Sequence, residues 1–271
     1  MSAPEVPFLD APAAGPDDGG YLPESAWDLW HVFFVFAGGL VGAIVGGAAV
    51  VAVGGDVESA GSVFGIVFPA QVAGSLGVAW YLSHSRGTGR WAADFGLRLR
   101  ARHVWGLVAG VGLQLGALFV TGLTILILGG DAAPSQDVAE VAEGSTGAAL
   151  ALAFVATVVF APLVEEIVYR GMLLSRLRRT MRRHGAALTA AAVFAAVHLL
   201  DPGTLLLQPG LFFIGAVLGY AALRSKDLSL PLFLHAGVNL TGLLLQQFAD
   251  ELADWAENID SGMAVVLRSL G

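Results

Sequence analysis

The chain contains no cysteine among its 271 residues. Disulfide frameworks, thiolate metal sites and cysteine nucleophiles are therefore excluded together. Charged residues are also scarce, at 13% of the chain, whereas a water-soluble domain usually carries about 25%. Apolar residues make up 56% of the sequence, and its mean hydropathy is +0.72. These values exclude a soluble enzyme and predict an integral membrane protein.

Positive charge is in deficit, with 14 Lys and Arg residues against 22 Asp and Glu residues. The resulting net charge of -8 argues against a nucleic-acid partner. The first 29 residues contain no Lys or Arg, so they lack the positive start of a signal peptide. We expect a disordered acidic tail over 1–29, one transmembrane helical domain over 30–248 and an acidic C-terminal tail over 249–271.

Apolar runs of about 20 residues, the length that crosses a bilayer as a helix, recur along the chain. They predict an all-α, polytopic transmembrane bundle of about seven helices. The fifth and sixth runs are short for a full crossing, and together they are candidates for a bent re-entrant unit around Asp201. The predicted spans are residues 30–53, 62–82, 103–128, 148–174, 186–200, 209–223 and 228–248.

All but one of the 14 basic residues lie at the ends of the second, fourth and sixth spans or in the loops that follow them. The loops after the first, third and fifth spans contain no Lys or Arg. Loops rich in Lys and Arg stay in the cytoplasm. This bias predicts a multi-pass protein of the cell membrane with a cytoplasmic N-terminus.

Gly38, Gly42 and Gly46 recur at four-residue intervals in the first span. Small residues on one helix face allow two membrane helices to approach closely. The pattern favours packing inside the bundle over a dimerisation face.

Strongly polar side chains stand inside three of these spans, where each costs at least about 2–3 kcal/mol and marks a candidate functional site. At a rise of 1.5 Å per residue, the candidates lie about 10 to 18 Å from the cytoplasmic edge, in one layer. His235 and Asn239 are four residues apart and share a helix face. The candidate catalytic residues are Glu165, His198, His235 and Asn239.

Glu165 and Glu166 differ by about 100° around an α-helix, so only one of them is expected to face the histidines. Glu166 precedes Arg170 by four residues, which is the favourable order for an ion pair along a helix. We expect Glu166 and Arg170 to be structural, with Arg170 extending its stem to the cytoplasmic rim. Glu165 then faces the histidines.

A carboxylate with imidazoles can activate water and protonate a leaving amine, which suffices for peptide hydrolysis. Two schemes remain open. In one, Glu165 and His198 activate water while His235 and Asn239 form an oxyanion site. In the other, Glu165, His198 and His235 hold a divalent metal such as zinc, with Glu166 as the base. The sequence contains no His-Glu-x-x-His zinc motif. It also contains no Gly-x-Ser-x-Gly elbow, so a serine protease is disfavoured.

Three ordered motifs resemble those of the CPBP family, the CAAX-processing and bacteriocin-processing intramembrane endopeptidases. They are the Glu-Glu-x-x-x-Arg of residues 165–170, the Phe-x-x-x-His ending at His198 and the His-x-x-x-Asn beginning at His235. The segment Asp-Phe-Gly-Leu-Arg at 94–98 is also similar to one found upstream in the family. The resemblance implies a four-helix catalytic core over about 148–247.

The resemblance further implies an endopeptidase whose site opens to the cytoplasmic half of the membrane. It assigns Glu165, His198, His235 and Asn239 to the catalytic cluster. Its substrates are expected to be membrane proteins or lipid-anchored peptides in the bilayer, and the family leaves the use of a metal open. Two rival functions are a Glu/His proton-relay transporter and a catalytically silent membrane scaffold.

Overall fold

A computed structural model of the chain describes residues 27–128, 141, 145–249 and 251. These residues form helices, with no β-strand among them, which confirms the all-α prediction. Helices satisfy their own backbone hydrogen bonds, as an apolar bilayer requires. The helices are α1 Leu29–Ala52, α2 Ala60–Arg86, α3 Trp91–Phe95, α4 Ala101–Leu128, α5 Gly147–Leu177, α6 Arg183–Leu200, α7 Gly203–Ser225 and α8 Ser229–Gln247.

Six of these helices, α1, α2 and α4 to α7, are long and apolar enough to cross a membrane. They confirm a polytopic bundle and indicate a multi-pass membrane protein. The seventh predicted span, α8, has 19 residues but is not among the six. It carries His235, Asn239, Gln246 and Gln247, whose polarity lowers its suitability for contact with lipid.

The prediction that the fifth and sixth spans are short was wrong. Helix α6 extends over 18 residues and α7 over 23. The added length comes mainly from the charged start of α6, residues 183–185, and from the 3-10 turn after Asp201 at the start of α7. The side chain of Asp201 caps this turn by accepting a hydrogen bond from the Gly203 amide at 3.0 Å.

Helix α5 lies at the centre of the bundle. All nine residues of its segment Glu166–Leu174 are buried. Helices α1, α6, α7 and α8 contact α5, while α1 also packs along α2 and α4 along α8. Large apolar side chains on the outer faces, such as Val41, Ile44 and Val45 of α1, are more than half exposed and are available to lipid.

The predicted glycine contacts occur between α1 and α2. A Cβ atom on Gly42 would lie 2.1 Å from the carbonyl oxygen of Ala70, and one on Gly74 would lie 2.1 Å from that of Gly38. The backbones of the two helices therefore touch at positions that only glycine permits. Internal packing is confirmed as the role of this face.

The loops that carry the basic residues meet at one end of the bundle. Arg100 pairs with Asp227 at 2.5 Å, and the Leu228 amide donates to the Gly96 carbonyl at 2.9 Å. Arg176, in the last turn of α5, lies 3.7 Å from Asp28, before α1. These basic residues thus share one end of the fold, and the assignment of that end to the cytoplasm stays a prediction.

The predicted N-terminal tail lies outside the described residues up to residue 26, and the C-terminal tail does so apart from 249 and 251. Trp27, at the end of the first tail, is buried. Its ring stacks on Phe95 at a centroid distance of 4.9 Å, and its Nε1 donates to the Asp94 carbonyl at 2.9 Å. The Asp94 carboxylate is also buried and accepts hydrogen bonds from Ser83 and Thr88.

We predict that Gly42→Ala destabilises the protein, because the new methyl group meets the Ala70 carbonyl. Overpacking of this kind costs about 1–3 kcal/mol. Gly47→Ala is the matched control, since a Cβ there has no neighbour within 4 Å. The midpoint of thermal unfolding in detergent should fall for Gly42→Ala and should stay equal or rise for Gly47→Ala. Equal midpoints for the two variants would contradict this packing.

Candidate active site

The two adjacent glutamates lie where α5 changes its winding. The α-helical segment Ala161–Glu165 ends there, and a π-helical segment, Glu166–Leu174, begins. Short π segments are frequent at functional sites, and their i→i+5 bonding gives more residues per turn than an α-helix. The angle between neighbouring side chains is therefore smaller than in an α-helix. Glu165 and Glu166 can approach the same group.

Glu166 is fully buried and connects α8 to α5. Its Oε1 accepts hydrogen bonds from Arg170 Nη1 at 2.9 Å and from His235 Nδ1 at 2.8 Å. The predicted ion pair between Glu166 and Arg170 is present. A carboxylate only accepts hydrogen bonds, so His235 Nδ1 is the donor to it.

The sequence predicts that Arg170 extends to the membrane rim, and this prediction was wrong. Its side chain is 1% exposed and points into the bundle. Nη2 donates to the Gly215 carbonyl at 3.1 Å, and the guanidinium carbon lies 4.8 Å from the centre of the Phe194 ring. A carboxylate, a carbonyl and an aromatic face together compensate for the loss of water around the guanidinium.

His235 lies between the two glutamates. Nδ1 contacts Glu166, and Nε2 lies 3.6 Å from Glu165 Oε2. The expectation that only one glutamate faces the histidines was wrong, because the π segment turns both toward this ring. Glu165 Oε2 and Glu166 Oε2 are buried and have no hydrogen-bond partner among the residues that the structure describes. Of the two glutamates, Glu165 belongs to the lining of the cavity described below, whereas Glu166 does not.

His198 ends the α-helical part of α6 with its ring fixed. Nδ1 lies 2.8 Å from the Phe194 carbonyl, which only accepts hydrogen bonds, so Nδ1 is the donor. In neutral His198 the lone pair is then on Nε2. The backbone carbonyl of His198 accepts a hydrogen bond from Thr204 at 2.5 Å, which ties this residue to the start of α7.

Glu165 and His198 line a cavity of about 190 Å³. A water molecule occupies about 30 Å³ of liquid, and an apolar cavity of about 150 Å³ accepts benzene. The space therefore has room for a water molecule beside a substrate side chain. Helices α1, α2, α5 and α6 form its walls, which are mostly apolar.

Asn239 shares its helix face with His235 but not the cavity. Its Nδ2 donates to the Thr157 carbonyl at 2.7 Å, in a second π segment of α5, Ala156–Phe160. Of the four predicted catalytic residues, the structure thus brings Glu165, His198 and His235 to one layer. Asn239 lies beside them with one amide hydrogen already donated.

The side chains of this layer do not fit a metal ion as they are placed. Among the residues described, no three His, Asp or Glu side chains are arranged to hold a metal ion. Glu165, His198 and His235 do not form a ligand set as placed, since both ring nitrogens of His235 are directed at carboxylates. The zinc scheme does not fit this arrangement.

Sequence reasoning missed the contribution of α2 to the cavity. Gln71 and Ser75 of α2 line it opposite Glu165. A signal was present, because Gln71 interrupts an otherwise apolar run in the middle of a span. It was passed over because the charged and histidine-containing motifs lie in other helices.

The geometry defines a helical membrane protein with a buried carboxylate and imidazole cluster beside a cavity. Residues 147–241 match the family model described as Rce1-like, the type II CAAX prenyl endopeptidases. The matched segment includes α5 to α7 and all six predicted site residues. This match confirms the resemblance to the CPBP family and indicates, at family level, a CAAX-type intramembrane endopeptidase. Searches among curated proteins and among solved structures gave no match.

We predict that Arg170→Met strongly destabilises the fold, because it leaves the Glu166 charge buried without its cation. Breaking one partner of a buried pair costs about 3–5 kcal/mol. The control Arg176→Met removes a pair at 3.7 Å with the exposed Asp28 and should cost about 0–1 kcal/mol. The double variant Glu166→Gln/Arg170→Met should recover part of the loss. Folded yield and thermal midpoints in detergent measure the effect, and equal midpoints for the two single variants would contradict it.

Proposed function

We propose that the protein is an intramembrane endopeptidase that hydrolyses peptide bonds of membrane-associated substrates with water activated by Glu165 and His198. The observation that carries the proposal is the cavity of about 190 Å³ that these two residues share. It offers both proton-accepting groups a space that holds water and substrate together. Buried polar side chains without this use are costly in a membrane.

Glu165 is the proposed general base. Its side chain is 28% exposed and lines the cavity. A carboxylate that faces the cavity can accept a proton from a water molecule held there. The resulting hydroxide equivalent attacks the carbonyl carbon of the substrate.

His198 is proposed to orient the same water molecule. Its Nδ1 donates to the Phe194 carbonyl, so its Nε2 lone pair is free to accept a hydrogen bond. When the carbon–nitrogen bond breaks, the proton held by Glu165 moves to the leaving amine. The carboxyl product takes the water oxygen, and Glu165 is ionised again, ready for another cycle.

His235 is proposed to stabilise charge on the reacting carbonyl oxygen. Glu166 holds its Nδ1 hydrogen, which leaves Nε2 directed at Glu165 Oε2 at 3.6 Å. In the imidazolium form of His235, Nε2 also carries a hydrogen and supplies a donor for the oxyanion. Asn239 adds its second amide hydrogen, since the first is donated to Thr157. Glu166 and Arg170 position His235 and do not contact the substrate.

The expected substrates are membrane proteins or lipid-anchored peptides that reach the site from the cytoplasmic half of the cell membrane. This orientation rests on the concentration of basic residues at one end of the bundle. A Glu/His proton relay is the second candidate, because Glu166, His235 and Glu165 form a chain of proton-binding groups. Such a relay would bind and move protons without cleaving peptides, and a silent scaffold would do neither.

We predict that Glu165→Gln abolishes cleavage while the protein remains folded, because the amide keeps the shape of the side chain but accepts no proton. The assay incubates purified protein with a library of membrane peptides and identifies products by mass spectrometry. Loss of rate should be at least about 10²-fold, the lower end of the usual contribution of a general base. Glu58→Gln, in an exposed loop, is the matched control and should leave the rate unchanged.

Cleavage that persists in Glu165→Gln would move the base to another residue. If neither the native protein nor Glu58→Gln cleaves any peptide, hydrolysis is contradicted, and proton-flux measurements in vesicles then test the relay. Both variants must elute as the same folded species on size exclusion.

Removal of metal ions with a chelator tests the zinc scheme. We predict that cleavage is unchanged by a strong zinc chelator, because Glu165, His198 and His235 do not form a ligand set. The measurement is the initial cleavage rate before and after chelation, with added zinc as the reversal control. Loss of activity that zinc restores would establish the metal scheme instead.

A further inference from the structure

Two polar side chains of α2 also line the cavity that Glu165 and His198 share. Gln71 and Ser75 stand one helical turn apart, so they lie on one face of α2. Neither lies within residues 147–241, the segment that carries the family resemblance. No role for them follows from the motifs.

Neither side chain makes a hydrogen bond within the part of the chain that the structure describes. Ser75 is buried, whereas Gln71 is exposed, and both lie in the middle of a membrane span and line the cavity. An amide without a partner in an apolar setting costs free energy. A hydrogen-bonding group that enters the cavity would remove this cost.

The neighbouring helix keeps this pair accessible. Gly39 of α1 lies directly against it, and a Cβ atom at that position would lie 2.5 Å from Ser75 Oγ. Any larger residue would displace Ser75 from its place in the cavity wall. The walls around the pair are apolar and include Phe36, Phe68 and Val72.

A peptide in extended form presents one N–H and one C=O per residue with a side chain between them. An amide offers a donor and an acceptor together, and a hydroxyl does the same. Gln71 and Ser75 thus match the backbone of one extended segment. The apolar walls match the side chain of that segment.

We propose that Gln71 and Ser75 bind the backbone of the peptide substrate and hold it in the cavity against Glu165 and His198. The proposal rests on the peptidase function proposed above. It makes α1 and α2 a part of the substrate site, rather than only a support for the three helices that carry the Glu-Glu-x-x-x-Arg, Phe-x-x-x-His and His-x-x-x-Asn motifs.

The test uses a peptide that the native protein cleaves in the library assay. Gln71→Met keeps the length of the side chain and removes both hydrogen-bonding groups. It should raise KM by about tenfold, the value of one or two lost hydrogen bonds, and should leave kcat within about twofold, as expected for uniform binding. Ser75→Ala should act in the same direction. Gln114→Met, on α4 and away from the cavity, is the matched control.

A set of ester-containing peptides distinguishes direct contact from a structural effect. Each peptide has one backbone N–H near the cut replaced by an ester oxygen. At one position the ester should lower kcat/KM by about tenfold in the native protein and by less than about twofold in Gln71→Met, because contacting groups are not additive. Equal losses at every position in both proteins would overturn the proposal while leaving Glu165-dependent cleavage intact. Absence of Glu165-dependent cleavage would overturn both proposals.

Discussion

A single buried carboxylate oxygen, Glu166 Oε1, holds the site together. It accepts hydrogen bonds from Arg170 on α5 and from His235 on α8. Arg170 in turn donates to the Gly215 carbonyl of α7 and lies over Phe194 of α6. Four helices thus meet through one charge that cannot be left unpaired in a membrane. The geometry of the remaining site depends on this constraint.

The constraint also explains how the chemistry is divided between neighbouring residues. Glu166 pairs with Arg170 and fixes His235, whereas the side chain of Glu165 lines the cavity. The π segment that starts at Glu166 allows both glutamates to reach one ring. A local change in helix winding therefore separates a structural carboxylate from one that is available for catalysis.

The sequence was sufficient for the fold class, for the ion pair of Glu166 with Arg170 and for the close packing of Gly42. These depend on hydropathy and on spacing along one helix, which are local properties. The inward direction of Arg170, the double contact of His235 and the place of Asn239 depend on helix winding and on partners in other helices. Gln71 was missed for the same reason, since its neighbours in the cavity come from α1, α5 and α6.

The central claim is that the cavity beside Glu165 receives the scissile peptide bond. An experimental structure of Glu165→Gln with an uncleaved peptide tests this claim most directly. We predict that the scissile carbonyl lies between residue 165 and His198, with the peptide backbone along Gln71 and His235 Nδ1 still bonded to Glu166. A peptide bound on another face of the bundle, or a cavity closed by side chains, would contradict the claim.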